Sequence, residues 1–100
     1  MSSVDRKKTD ETREIERMLR EHFPDVIAYR QNSASIRVRV VDERFRGKSL
    51  IDRENMVEPL LATMPEETQI DITILLLLSP EEIGRSMMNI EFEDPVESML

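Results

Sequence analysis

The residues best equipped for chemistry in this chain are cations. Arg37 and Arg39 alternate along one stretch, and Arg44, Arg46, Lys48 and Arg53 follow closely. Guanidinium and ammonium groups gathered in this way bind carboxylate or phosphate oxygens, and the planar guanidinium can do so bidentately. Phe45 stands among them and adds an apolar contact. Two uses fit the cluster: docking an acidic protein partner, or holding a nucleic-acid backbone. Tyr29 and Phe45 are the only aromatics near it, so stacking on single strands is poor. The nucleic-acid alternative is therefore weak, independent of sequence and strongly salt-dependent.

Catalysis lacks its parts. The one histidine, His22, falls at the end of the first predicted helix, where an imidazole more often complements the helix dipole than performs chemistry. Gly47 and Gly84 are the only glycines, which excludes a P-loop and a dinucleotide fingerprint, and no G-x-S-x-G occurs. The 21 acids carry no spacing that sets two carboxylates face to face in opposed environments. Without cysteine there is no thiolate nucleophile, disulfide or thiolate metal site, and zinc and iron favour Cys and His. No EF-hand spacing supports calcium. The expectation is a non-enzymatic binding module with no catalytic residue, cofactor or metal.

The elements that must position the cluster follow from periodicity. Ile15, Met18, Leu19 and Phe23 recur at helical spacing after Thr9, a fitting N-cap, and Pro24 stops the helix after Phe23. Val26, Ile27 and Tyr29 lead into turn residues Gln31, Asn32 and Ser33, and Ile36, Val38 and Val40 then alternate with Arg37, Arg39 and Val41. This period of two predicts an antiparallel hairpin whose second strand, 35–41, buries one face and presents arginines on the other. A charged loop, 42–48, leads to a helix over 49–63 capped by Ser49, with Leu50, Val57, Leu60, Leu61 and Met64 as its apolar stripe. Pro59 predicts a kink, or two short helices meeting near Glu58. Residues 65–68 form a turn or short helical start. The most apolar run, 70–78, predicts a covered strand over 72–78, and Ser79-Pro80-Glu81-Glu82 opens another helix with a proline at its first position. The tail, 86–100, mixes Met87, Met88, Ile90, Phe92, Met99 and Leu100 with acids in no clear period; it either packs as an extra element or waits for a partner.

The expected fold is thus α+β, with a small mixed sheet of about three strands, helices on one face and the order α-β-β-α-(α)-β-α. Residues 1–85 form a single domain and 86–100 an acidic, Met-rich C-terminal extension. Charge is segregated within the net −7: residues 1–29 carry −1, residues 30–53 carry +4 and residues 54–100 carry −10. Such a basic middle can still attract an acidic partner. The polar N-terminus lacks a signal-peptide pattern and no apolar run approaches the roughly 20 residues of a membrane span, so a cytoplasmic setting is expected.

The stretch 36–82 resembles the BolA family, small proteins with a KH-like fold. The likeness is carried by Val38-Arg39-Val40-Val41, by Phe45-x-Gly47-Lys48-Ser49-Leu50-Ile51-x-Arg53, by Met56-Val57, and by a last strand ending in Ser79-Pro80-Glu81-Glu82. The resemblance implies a regulatory or adaptor role through protein–protein contact, with a monothiol glutaredoxin as one possible partner. Family members hold histidines where this chain has Glu54 and Asp71, so it resembles a divergent member without the usual histidine ligands for iron–sulfur or metal sharing. The residues expected to form the contact surface are Arg37, Arg39, Arg44, Phe45, Arg46, Lys48 and Arg53. Two other readings stand beside it: nucleic-acid binding through the same patch, and self-association through the Met-rich tail.

Overall fold

A computed structural model describes residues 4–95. The first helix, α1, covers Asp10–Leu19 and is closed at its start by a reciprocal bond pair: Thr9 Oγ1 accepts from the Thr12 amide and Thr12 Oγ1 from the Thr9 amide. It ends one turn earlier than proline placement predicts. The Leu19 carbonyl accepts from both the His22 and Phe23 amides, each at 2.9 Å, so the last turn tightens before Pro24 is reached. Strand β1, Asp25–Asn32, pairs antiparallel with β2, Ser35–Val41, in the register Val26↔Val40, Ala28↔Val38 and Arg30↔Ile36. Gln31 and Asn32 belong to β1 rather than to the turn, which is closed by Asn32 Oδ1 accepting from the Ala34 amide at 2.9 Å.

Asp42 caps a single 3-10 turn, Glu43–Phe45, and Gly47 then takes φ 73°, a left-handed conformation that costs a side chain-bearing residue. Ser49 Oγ accepts from the Asp52 amide and starts α2, Leu50–Leu61. α2 runs unbroken through Pro59 rather than as two short helices meeting near Glu58. Proline here lies in the last turn, where it removes one ladder bond and leaves the helix little length to redirect. Residues Glu66–Asp71 form α3, so Ile70 and Asp71 leave the apolar run and β3 covers Ile72–Leu78. The helix expected after Ser79 is a single 3-10 turn, Pro80–Glu82, closed by a capping box between Ser79 and Glu82. The described part of the tail resolves into α4, Met87–Glu93, with Ser86 Oγ as its cap; Met99 and Leu100 lie outside the described residues.

The sheet order is β1-β2-β3, with β3 parallel to β2 after a crossover through α2 and α3. Alternation then sorts the core onto two faces. Val26, Ala28, Ile36, Val38, Val40 and Leu77 point to one face and meet Ile15, Leu19, Phe23, Phe45, Val57 and Leu61. Tyr29, Leu76 and Leu78 point to the other, where Val4 and Phe92 cover them. The fold is α+β with a mixed three-stranded sheet.

Candidate functional site

The arginines of β2 do not face solvent. Sequence alternation put them correctly on the face opposite the α1–α2 core, but α4 closes that face. Arg37 Nη1 lies 2.5 Å from Glu91 Oε2, and burial, which opposes its charge, is outweighed by hydrogen bonds to Glu91 and the Tyr29 hydroxyl that raise its pKa. Arg39 is more enclosed, its side chain 8% exposed. Its Nη1 donates to Asn89 Oδ1 at 2.6 Å and to Glu93 Oε1 at 2.8 Å, and its guanidinium carbon stands 5.2 Å from the Phe92 ring centre. Tyr29 meets Phe92 edge to face at 4.9 Å and donates its hydroxyl to the Phe92 carbonyl at 2.7 Å. These two arginines are separated from the rest of the predicted surface by the sheet itself.

The loop cations stay on the surface, and the two arginines among them are each held by a neighbour. Arg44 Nε donates to Asp42 Oδ1 at 2.9 Å, its Nη2 reaches the His22 carbonyl at 2.6 Å, and its guanidinium lies 4.6 Å from the Phe23 ring centre. That guanidinium, together with the Arg44 amide, holds the Asp42 carboxyl below the usual carboxylate range. Arg46 pairs with Glu43 and lies 2.5 Å from Glu81 Oε2. Lys48 is exposed, and no carboxylate pairs with it among the described residues. Phe45 is fully buried, stacked at 5.7 Å on Phe23, and therefore anchors the loop rather than touching a partner.

Arg53 organises the base of this surface. Its Nη1 bonds the Leu77 carbonyl and Glu82 Oε1, each at 2.8 Å, and its Nε bonds the Lys48 carbonyl at 3.0 Å. The backbone turn at Lys48 and the start of α2 are thereby tied to the end of β3. What they carry outward is apolar. Leu50 is 61% exposed and Ile51 68%, although Leu50 reads in sequence as part of the buried helix stripe. Sequence reasoning missed both. The signal available was their place in the first turn, where a helix leaving a loop has not yet turned onto the sheet. Exposed aliphatics beside Lys48, the loop cation without a carboxylate partner among the described residues, can bury apolar area against a partner while the ammonium meets its acids.

No family model and no curated protein matches this chain. Two solved structures do. BolA1 from Arabidopsis thaliana superposes with a TM-score of 0.55 at 19% identity, covering 75% of this chain and 98% of that one. The BolA domain of SufE1 from Arabidopsis thaliana superposes with a TM-score of 0.57 at 17% identity and the same coverage. The fold is BolA-like, as the motif resemblance implies.

The two positions where the resemblance expects histidines carry carboxylates, Glu54 and Asp71. Asp71 Oδ2 accepts from Arg30 Nη2 at 2.8 Å, a pairing that occupies it, and both it and Glu54 are hard oxygen donors. Among the described residues, no group of three or more His, Asp or Glu converges as metal ligands. No described helix is long and apolar enough to cross a membrane.

Proposed function

We propose that this protein is a small, non-enzymatic, cytoplasmic protein-binding module of regulatory or adaptor type, working through the start of α2. The observation that carries the reading is the exposure of Leu50 and Ile51 beside Arg46 and Lys48. Two adjacent aliphatics held in solvent on the first turn of α2 fit a partner surface that is apolar at its centre and acidic at its edge. The BolA-like fold supports the same reading. Of the seven residues expected from sequence, Arg44, Arg46 and Lys48 contribute to this surface, Phe45 and Arg53 support it from beneath, and Arg37 and Arg39 serve the opposite sheet face. In this account residues 1–85 form the domain and 86–100 its C-terminal extension, which packs onto the second sheet face through α4.

The nucleic-acid alternative loses ground to the same geometry. Arg37, Arg39, Arg44 and Arg46 each already meet a carboxylate, so few cations remain to replace phosphate counterions. A monothiol glutaredoxin remains a partner to test, by protein contact without shared metal. The direct experiment is affinity capture from native cells with the wild-type chain and with Leu50→Asp/Ile51→Asp. Both changes lie on exposed positions, so the melting temperature should hold. The reading expects a discrete protein captured by the wild type and lost with the variant; capture unaffected by the variant overturns it.

A further inference from the structure

β3 is an edge strand, with β2 on one side only. In a parallel ladder the N–H and C=O of one residue point to the same side, and successive residues alternate. The Leu78 carbonyl accepts from the Asp42 amide at 3.0 Å, so Leu78 faces β2, and Leu77 and Leu75 face outward. Arg53 seals the outer Leu77 carbonyl at 2.8 Å. Nothing among the described residues seals the N–H and C=O of Leu75. An open edge of this kind is a template for another strand.

Beside the edge lies a groove of about 340 Å³ between α2 and β3, with Leu61, Ile72 and Leu75 as apolar lining and Glu54, Glu58 and Gln69 as polar lining. Glu54 and Glu58 stand four residues apart, on one helix face, and no base pairs with either among the described residues. Every arginine from Arg13 to Arg53 is paired with a carboxylate, so these two are left with charge to offer. Four residues of helix rise about 6 Å and two residues of strand about 6.6 Å. Alternate side chains of a strand lying along α2 therefore match the spacing of the two carboxylates.

We propose that the outer edge of β3 accepts an extended basic segment of a partner protein as a fourth strand, with alternate Lys or Arg side chains on Glu54 and Glu58. This rests on the chain being a binding module and gives it a second surface, which begins one helical turn beyond Leu50 and Ile51. The two glutamates could instead serve only to keep other strands off the edge, and the test separates these uses.

The probe is a fluorescein-labelled (Lys-Val)3 peptide, titrated with the full chain and read by fluorescence anisotropy. Companion peptides are (Glu-Val)3 and two (Lys-Val)3 forms, N-methylated on every Lys or on every Val. Strand addition uses one edge of the peptide, so one methylated form binds as the parent does and the other is lost. The Glu54→Gln/Glu58→Gln variant should bind about tenfold more weakly, as the loss of two partly exposed ion pairs implies. Leu50→Ser/Ile51→Ser, which removes the apolar pair without adding charge one turn from Glu54, should bind the peptide unchanged, which keeps failure here distinct from failure of the α2 surface. Absence of binding, equal binding of (Glu-Val)3, or indifference to both methylated forms overturns the proposal.

Discussion

Arg53 and Glu82 form the joint between α2 and the end of β3. Arg53 Nη1 lies 2.8 Å from Glu82 Oε1, and the same oxygen accepts from the Ser79 amide at 2.7 Å and the Ser79 hydroxyl at 2.9 Å. One carboxylate thus closes the 3-10 turn after β3 and fixes the helix whose first turn carries Leu50 and Ile51. Replacing either partner leaves the other's charge half-buried without its mate.

The pH dependence of folding should report that joint. The Ser79 amide, with Arg53 and the Ser79 hydroxyl, lowers the Glu82 pKa to about 2 against burial, which raises it. A depressed carboxylate stabilises the fold fully above its unfolded value, about 4.3, and the contribution disappears as pH falls through the folded value. Glu82→Gln should therefore be less stable than wild type at pH 7, by about 1.5–3 kcal/mol on the usual worth of hydrogen bonds to charged groups. Urea unfolding should show this gap closing between about pH 4.3 and 2. A gap that stays constant across that window would contradict the assignment.

Phe92 tests the closure of the second sheet face. It is 2% exposed and contacts Tyr29 and Arg39. Phe92→Ala should cost about 3–5 kcal/mol, the usual range for a buried phenylalanine, measured as a fall in the urea midpoint. A loss below about 1 kcal/mol would mean that α4 does not hold that face.

Oligonucleotide binding should be feeble. Paired arginines leave the equivalent of one or two phosphates to neutralise, so the log–log salt slope on duplex DNA should lie near −1 to −2. Arg44→Ala/Arg46→Ala should weaken all sequences alike. A tight, sequence-discriminating complex at physiological salt would favour the nucleic-acid alternative over the protein-binding one.

Much of the fold was legible because the local signals agreed with one another. Alternation placed β2 over 35–41, Ser49 and Thr9 announced their helices, and the apolar run over 72–78 became β3. What alternation could not tell was what stood opposite the second face. Arg37 and Arg39 sit on the side that periodicity assigns them, yet α4 arrives there from a segment whose short, mixed pattern has no period to read. Seven helical residues held by Asn89, Phe92 and two glutamates depend on tertiary partners, and sequence spacing does not encode those. Leu50 was misplaced for a related reason: a helix stripe drawn from periodicity ignores that the first turn overhangs the sheet. Phe45 looked like a contact residue because its neighbours are charged, whereas its ring packs inward on Phe23.

The most direct measurement of the central claim is site-specific photo-crosslinking in native cells, with a photoreactive side chain at position 51 and, as control, at exposed position 63. The account predicts a discrete protein adduct from position 51, none of the same mass from position 63, and loss of the adduct when Arg46 and Lys48 are both changed to Glu. Equal adducts from both positions, or adducts to nucleic acid from position 51, would contradict it.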